Sequence, residues 1–145
     1  QAAERGLIAT TEVGAGTIRD WASAQAAVAA VGHRAFGLVV DTMHFFRKGG
    51  TVADIAADPG AIVHVQLCDV PMPATIDSYM EEALFERRAP GDGDLPLVEF
   101  LARVPAHLPV GIEAPVRSEA EAGVPALERL GRAVAQAREL LGRVP

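Results

Sequence analysis

The chain has 145 residues, 50% of them apolar and 22% charged, with a formal net charge of −6. That length suits one domain with a buried core, and a mean hydropathy of +0.20 excludes intrinsic disorder. An excess of acid (19 against 13 basic residues) leaves no footprint for nucleic acid or an anionic membrane, no apolar run approaches the roughly 18–20 residues that span a bilayer, and a single cysteine, Cys68, excludes an internal disulfide.

In chain order, Leu7–Glu12 reads as the first strand and Thr17–Val31 as the first helix, opened by a Thr17/Asp20 capping box. Phe36–Asp41 is the second strand, and Thr51–Ala57, capped by Thr51 with Asp54, the second helix. Ile62–Asp69 is the third strand, with Val63, Val65 and Leu67 on one face and His64, Gln66 and Cys68 on the other. Pro71–Gly93, with Pro71, Pro73, Pro90 and the turn Gly91-Asp92-Gly93, is the one long irregular connection, a length typical of a functional lid or a disordered segment. Leu95–Val104 then reads as a helix, Val110–Glu113 as the fourth strand, and Ser118 with Glu121 as a third capping box. The last helix, Val124–Leu141, carries Val124, Leu127, Leu130, Val134, Ala137 and Leu141 in one apolar stripe. Strands and helices alternating at this spacing predict βαβ units and a parallel sheet.

Every predicted strand ends on a group able to bind metal: Glu12, Asp41, the series His64, Gln66 and Asp69, and Glu113. Polar groups at strand C-termini are where a (β/α) barrel holds its active site. Three carboxylates and an amide gathered at one mouth would repel one another without a cation, and oxygen-rich ligation suits Mn²⁺, Mg²⁺ or Co²⁺ better than zinc. Taken singly, an acid at a strand end is more often a helix cap or a solvated loop residue than a ligand.

The stretch Val39–Arg47, containing Asp41-Thr42-Met43-His44, precedes Val63-His64-Val65-Gln66-Leu67-Cys68-Asp69. Arg87-Arg88-Ala89-Pro90-Gly91-Asp92-Gly93 and Gly111-Ile112-Glu113 follow in order. Together they resemble the sugar phosphate isomerase/epimerase family, the xylose-isomerase-like TIM barrels that include ketose 3-epimerases, inosose dehydratases and endonuclease IV. The resemblance runs from Leu7 onward and corresponds to the second half of the family's barrel. It implies the α/β class, with parallel (β/α) units forming about half of a TIM barrel. It also implies a divalent metal held by Glu12, Asp41, Gln66 and Glu113. Many relatives carry His-x-His in the third strand, and Gln66 stands where the ligating second His would be. His44, His64 and Arg87 correspond to substrate-contacting positions, with Arg88 beside the last.

The chemistry implied is isomerisation or epimerisation of a sugar-like polyol. A metal chelating a carbonyl and its neighbouring hydroxyl favours an enediolate, while Glu12 and Glu113 remove and return the proton. Loss of a β-hydroxyl instead would make the site a dehydratase of the inosose dehydratase type. A barrel relative that binds a ligand without catalysis is the other alternative. A full barrel needs roughly 250 residues, so the expectation is a fragment of a (β/α)8 barrel. Its open edges would be covered by a missing N-terminal half or by a second copy. A reducing cytoplasm, a small-molecule substrate, and no nucleic-acid or membrane partner complete the reading. Trp21 is expected in the core, Cys68 lining the barrel, His33 and His107 in solvent, and Phe45 and Phe46 either at the pocket or packed beneath it.

Overall fold

A computed structural model describes residues 1–145. Four parallel strands, β1 (Ala9–Glu12), β2 (Phe36–Asp41), β3 (Ile62–Leu67) and β4 (Val110–Ile112), lie side by side in sequence order. Their crossovers carry the helices α1 (Trp21–Val31), α2 (Thr42–Arg47), α3 (Val52–Ala57), α4 (Tyr79–Phe85) and α5 (Leu97–Leu101); α6 (Arg117–Glu121) and α7 (Ala126–Gly142) follow β4. No helix is long and apolar enough to cross a membrane.

The register decides which side chains meet. Thr10 pairs with Gly37, Glu12 with Val39, Asp41 with Gln66, and Gln66 with Gly111. Laterally paired residues of parallel strands point to the same face, so these form the inner surface of the curved sheet. The outer surface carries Leu38, Val40, Ile62, Val65 and Leu67, none more than 3% exposed, under the helices. Ile62 rather than Val63 takes the outer position, which corrects the expected alternation. A bulge opposite Leu38 and Val39 inserts Val63 as an extra residue, so His64 pairs with Val39. Gly37 makes the room, since a Cβ there would lie 2.5 Å from Val63 Cγ1.

Phe45 is the hub of the core below the site. Its ring meets Trp21 edge-on at 5.3 Å, Phe46 at 5.1 Å and Phe100 at 6.1 Å. Phe45 therefore packs beneath the pocket, and Trp21 is core as expected.

Several helix limits differ from the sequence reading. Helix α1 starts at Trp21, with the capping box formed by Asp20 and Ser23, because Gly14–Ile18 is committed to a loop closed by the Gly14 N–H on Ile18 O. Ser118 caps nothing; it lies inside α6, and its backbone N–H and hydroxyl both bond Glu86. The Thr51/Asp54 box stands as read. In α7 the buried residues are Ala133, Ala137 and Leu140, while Leu127 is 84% and Leu130 60% exposed, so most of the predicted stripe faces outward.

Candidate active site

The connection after β3 is not irregular. It contains α4, whose start is capped by Ser78 accepting the Glu81 N–H, and it is tied down at Asp69–Arg88 and Glu86–Val116 by isolated bridges. It leans over the C-terminal ends of the strands. Between it, the loop Gly14–Ile18 and Glu113–Pro115 lies a cavity of about 840 Å³, whose wall includes Glu12, His44, Tyr79, Arg87 and Glu113.

Asp41 ends β2 and immediately caps α2. Its Oδ1 accepts the His44 N–H at 2.9 Å, and its Oδ2 accepts from Arg87 Nη1. This is the cap role that a strand-end acid commonly has, joined to a buried ion pair in which both side chains are at most 3% exposed. Thr42 fixes the same corner by donating to Cys68 O at 2.8 Å and accepting the Cys68 N–H at 3.0 Å. One helical turn then sets His44 at the cavity wall.

Arg87 engages nearly all its donors inside the protein. Nε bonds Ala83 O at 2.8 Å, Nη1 bonds Asp41 and Glu113 O at 3.1 Å, and Nη2 lies 3.4 Å from His44 Nε2. Burial alone would lower its pKa, but Asp41 and Cys68 outweigh that and raise it. His44 is held below the usual imidazole range, first by burial and also by Arg87, against the pull of Asp41 and Glu113. Cys68, wholly buried with its Sγ 3.5 Å from Arg87 Nη1, has its thiol pushed up to about 11, chiefly by burial.

Glu12 and Glu113 stand at the exposed rim of the cavity. Burial raises the Glu12 carboxyl above its ordinary value, and the charges of Asp41 and Glu113 raise it further. These acids therefore repel one another across the mouth. Gln66 lies on the same sheet face, level with Asp41, its Oε1 buried and without a hydrogen-bond partner. His64 lies on the inner face level with Glu12, its Nε2 3.2 Å from where a Cβ on Gly111 would stand. Asp41, Gln66 and His64 are not on the cavity wall.

No three His, Cys, Asp or Glu side chains stand together as a ready metal cage. The donor types nevertheless fit a hard divalent cation: an orphaned amide oxygen and two rim carboxylates on one sheet face, in a site where acids repel. Asp41 could join them only by exchanging Arg87 for the cation.

Two participants escaped the sequence reading. Tyr79, on α4, has its hydroxyl 2.5 Å from His44 Nδ1. Glu82, 1% exposed, takes a two-pronged bond from Arg47 Nε and Nη2 at 2.8 and 2.7 Å, and Arg47 Nη2 also holds Pro71 O at 2.6 Å. The signal for both was Ser78-x-x-Glu81, a helix-start signature.

Over residues 1–140 the chain matches the family described as xylose isomerase-like TIM barrel. Among solved structures it is similar to the IolI protein with a bound zinc atom, at 22% identity and a TM-score of 0.80, over 99% of this chain and 52% of that one. A xylose isomerase domain protein from Alicyclobacillus acidocaldarius subsp. acidocaldarius is 26% identical, with a TM-score of 0.62 over 93% of this chain and 53% of the other. A fusion protein of a xylose isomerase-like TIM barrel with 4-hydroxyphenylpyruvate dioxygenase is 27% identical, with a TM-score of 0.65 over 84% and 22%. The chain thus spans about half the length of the first two and less of the third. No curated protein matches it. The four-stranded parallel sheet is a partial barrel of this kind.

Proposed function

The chain belongs to the xylose isomerase-like TIM barrel family, and on that premise we propose that it carries the reacting groups of a divalent-metal-dependent isomerase or epimerase acting on a sugar-like polyol. The observation that carries the reading is the presence of Glu12 and Glu113 at the rim of one cavity, on the sheet face that also carries Gln66 with its unpartnered Oε1. Glu12, Gln66 and Glu113 would hold the cation, with Asp41 as the fourth donor. When bound there, it supplies Lewis acidity that stabilises charge building on the substrate's oxygens as a neighbouring C–H proton leaves.

The chain's own residues do the rest. Glu12, whose raised pKa makes it the more basic of ordinary carboxylates, takes the proton on one face. Glu113 returns one from the other side. Arg87 would give up Asp41 to the cation and keep its bonds to Ala83 O, Glu113 O and the His44 ring, which hold that wall in place. If the departing group is instead a β-hydroxyl, the same pair serves a dehydration.

The test is solvent deuterium exchange into a panel of ketoses and inososes, with Mn²⁺, Mg²⁺ or Co²⁺ titrated. Exchange at the carbon beside the carbonyl is expected, and Glu113→Gln should lower it by about 10² or more while metal still binds, because an amide keeps an oxygen but cannot accept the proton. Gln66→His should shift metal preference toward softer ions and retain exchange. Wild-type exchange rates in Glu113→Gln at saturating metal would remove the two-carboxylate mechanism. The second reading, a ligand-binding relative without catalysis, is favoured by the Arg87–Asp41 pair in place of a cage; it predicts ligand binding with neither metal uptake nor exchange.

A further inference from the structure

Tyr79 is the chain's only tyrosine, and its ring forms part of the cavity wall. Its hydroxyl makes one hydrogen bond, to His44 Nδ1 at 2.5 Å. Which atom donates follows from the other side of the imidazole. His44 Nε2 faces Arg87 Nη2 at 3.4 Å, and a guanidinium can only donate. Nε2 is therefore the acceptor, and the ring proton sits on Nδ1. It follows that Nδ1–H donates to Tyr79 Oη, leaving the phenolic O–H without an acceptor in the protein. Lys48, the only lysine, lies with Nζ 4.2 Å from the centre of the Tyr79 ring and holds that ring in place.

We propose that Tyr79 is a substrate-binding residue whose hydroxyl proton, turned into the cavity by the chain Arg87–His44–Tyr79, is donated to a hydroxyl or carbonyl oxygen of a neutral polyol. The inference rests on the cavity being a polyol site, and it deepens that reading by naming a donor. The acids of the wall accept, and Arg87 is engaged by Asp41, Glu113 O and His44. Tyr79 therefore joins the hydroxyls of Thr11 and Thr17 as a donor, and its proton is the one a hydrogen-bond chain directs.

Because there is one tyrosine, ¹³C-labelled tyrosine reports on this site alone, and ¹⁵N-labelled histidine reports the tautomer. Glycerol, the smallest polyol, is the probe. We expect His44 in the Nδ1–H form, a saturable shift of the Tyr79 ring signal on adding glycerol, and about 2- to 12-fold weaker glycerol binding in Tyr79→Phe, the loss of one neutral hydrogen bond. An Nε2–H tautomer overturns the proposal, as does an unmoved Tyr79 signal or unchanged affinity in Tyr79→Phe. If Tyr79→Phe does not fold, the wild-type tautomer and the Tyr79 shift decide. A chain that binds glycerol through Tyr79 but exchanges no deuterium into ketoses keeps this inference and loses the isomerase reading; exchange with an Nε2–H tautomer does the reverse.

Discussion

Asp41 joins the local and the chemical roles of a single residue. Its carboxylate caps α2 and neutralises Arg87, and both members of that pair are buried. Asp41→Ala would leave a guanidinium buried beside nothing of opposite charge, which costs on the order of 3–5 kcal/mol. Urea denaturation should show it, and Asp41→Ala with Arg87→Met should recover part of the loss. Asp69 works in a different way. Its Oδ1 accepts N–H groups from Val70 and Leu95 and its Oδ2 accepts from Gly91, which folds the segment Arg87–Gly93 around it. The glycine of that motif has a steric reason too: a Cβ on Gly93 would clash with Asp69 Oδ1. Burial raises the Asp69 carboxyl above its ordinary 3.8, against those backbone donors, so the folded chain binds its proton more tightly than the unfolded one. Its contribution to stability is therefore full below 3.8 and is lost as pH rises through the raised value. Denaturation midpoints measured as pH rises from 3.8 should carry this slope, and Asp69→Asn should flatten it. Asp69→Asn should also cost about 1–3 kcal/mol, because an amide NH₂ meets backbone N–H groups.

Among the elements, the four strands were legible because β-branched runs ending in a polar residue leave little ambiguity. The two helices that build the cavity wall were not. Helix α2 is six residues long and follows β2 without a break, so it offers no periodicity; only its Asp41 cap marks it. Helix α4 sits among prolines, which hid a start signal at Ser78. Position therefore preceded contact: Glu12, Asp41, Gln66 and Glu113 could be placed at strand ends, but the Arg87–Asp41 bond and the Tyr79–His44 pair needed the crossover to fold back 35 or more residues. The bulge in β3 was equally invisible, since alternation reads the same with one residue added until a partner strand fixes the register. It gives a prediction at this scale. Gly37→Ala drives a methyl into Val63, and the strain of overpacking should cost about 1–3 kcal/mol in a thermal melt. Gly37→Ala combined with Val63→Ala should restore most of it, because removal of the Val63 methyls opens the space the new one needs.

At the scale of the molecule, two surfaces lack neighbours. The sheet ends at β1 and β4 with free backbone edges, and beside them lie exposed apolar groups: Leu7 and Ile8 before β1, at 60% and 53%, and Leu127, Leu130, Val134 and Leu141 along α7. The sequence marked the stripe as apolar and left its cover open, because periodicity reports that a face is greasy and not what meets it. In the similar IolI and Alicyclobacillus proteins this chain accounts for 52% and 53% of the length. We propose that a second half-barrel, with its own four β/α units, covers both edges and the α7 stripe. Free parallel edges and contiguous apolar surface drive association in water. The 145-residue chain by itself should therefore scatter light as dimers or larger species at micromolar concentration. Leu127→Glu with Leu130→Glu should raise the monomer fraction while leaving the melting temperature of that monomer nearly unchanged, since neither side chain packs against the buried face of α7. A wild-type chain that stays monomeric and stable on dilution would mean that its edges need no cover. A double substitution that lowers the melting temperature would mean that α7 packs by its leucines after all.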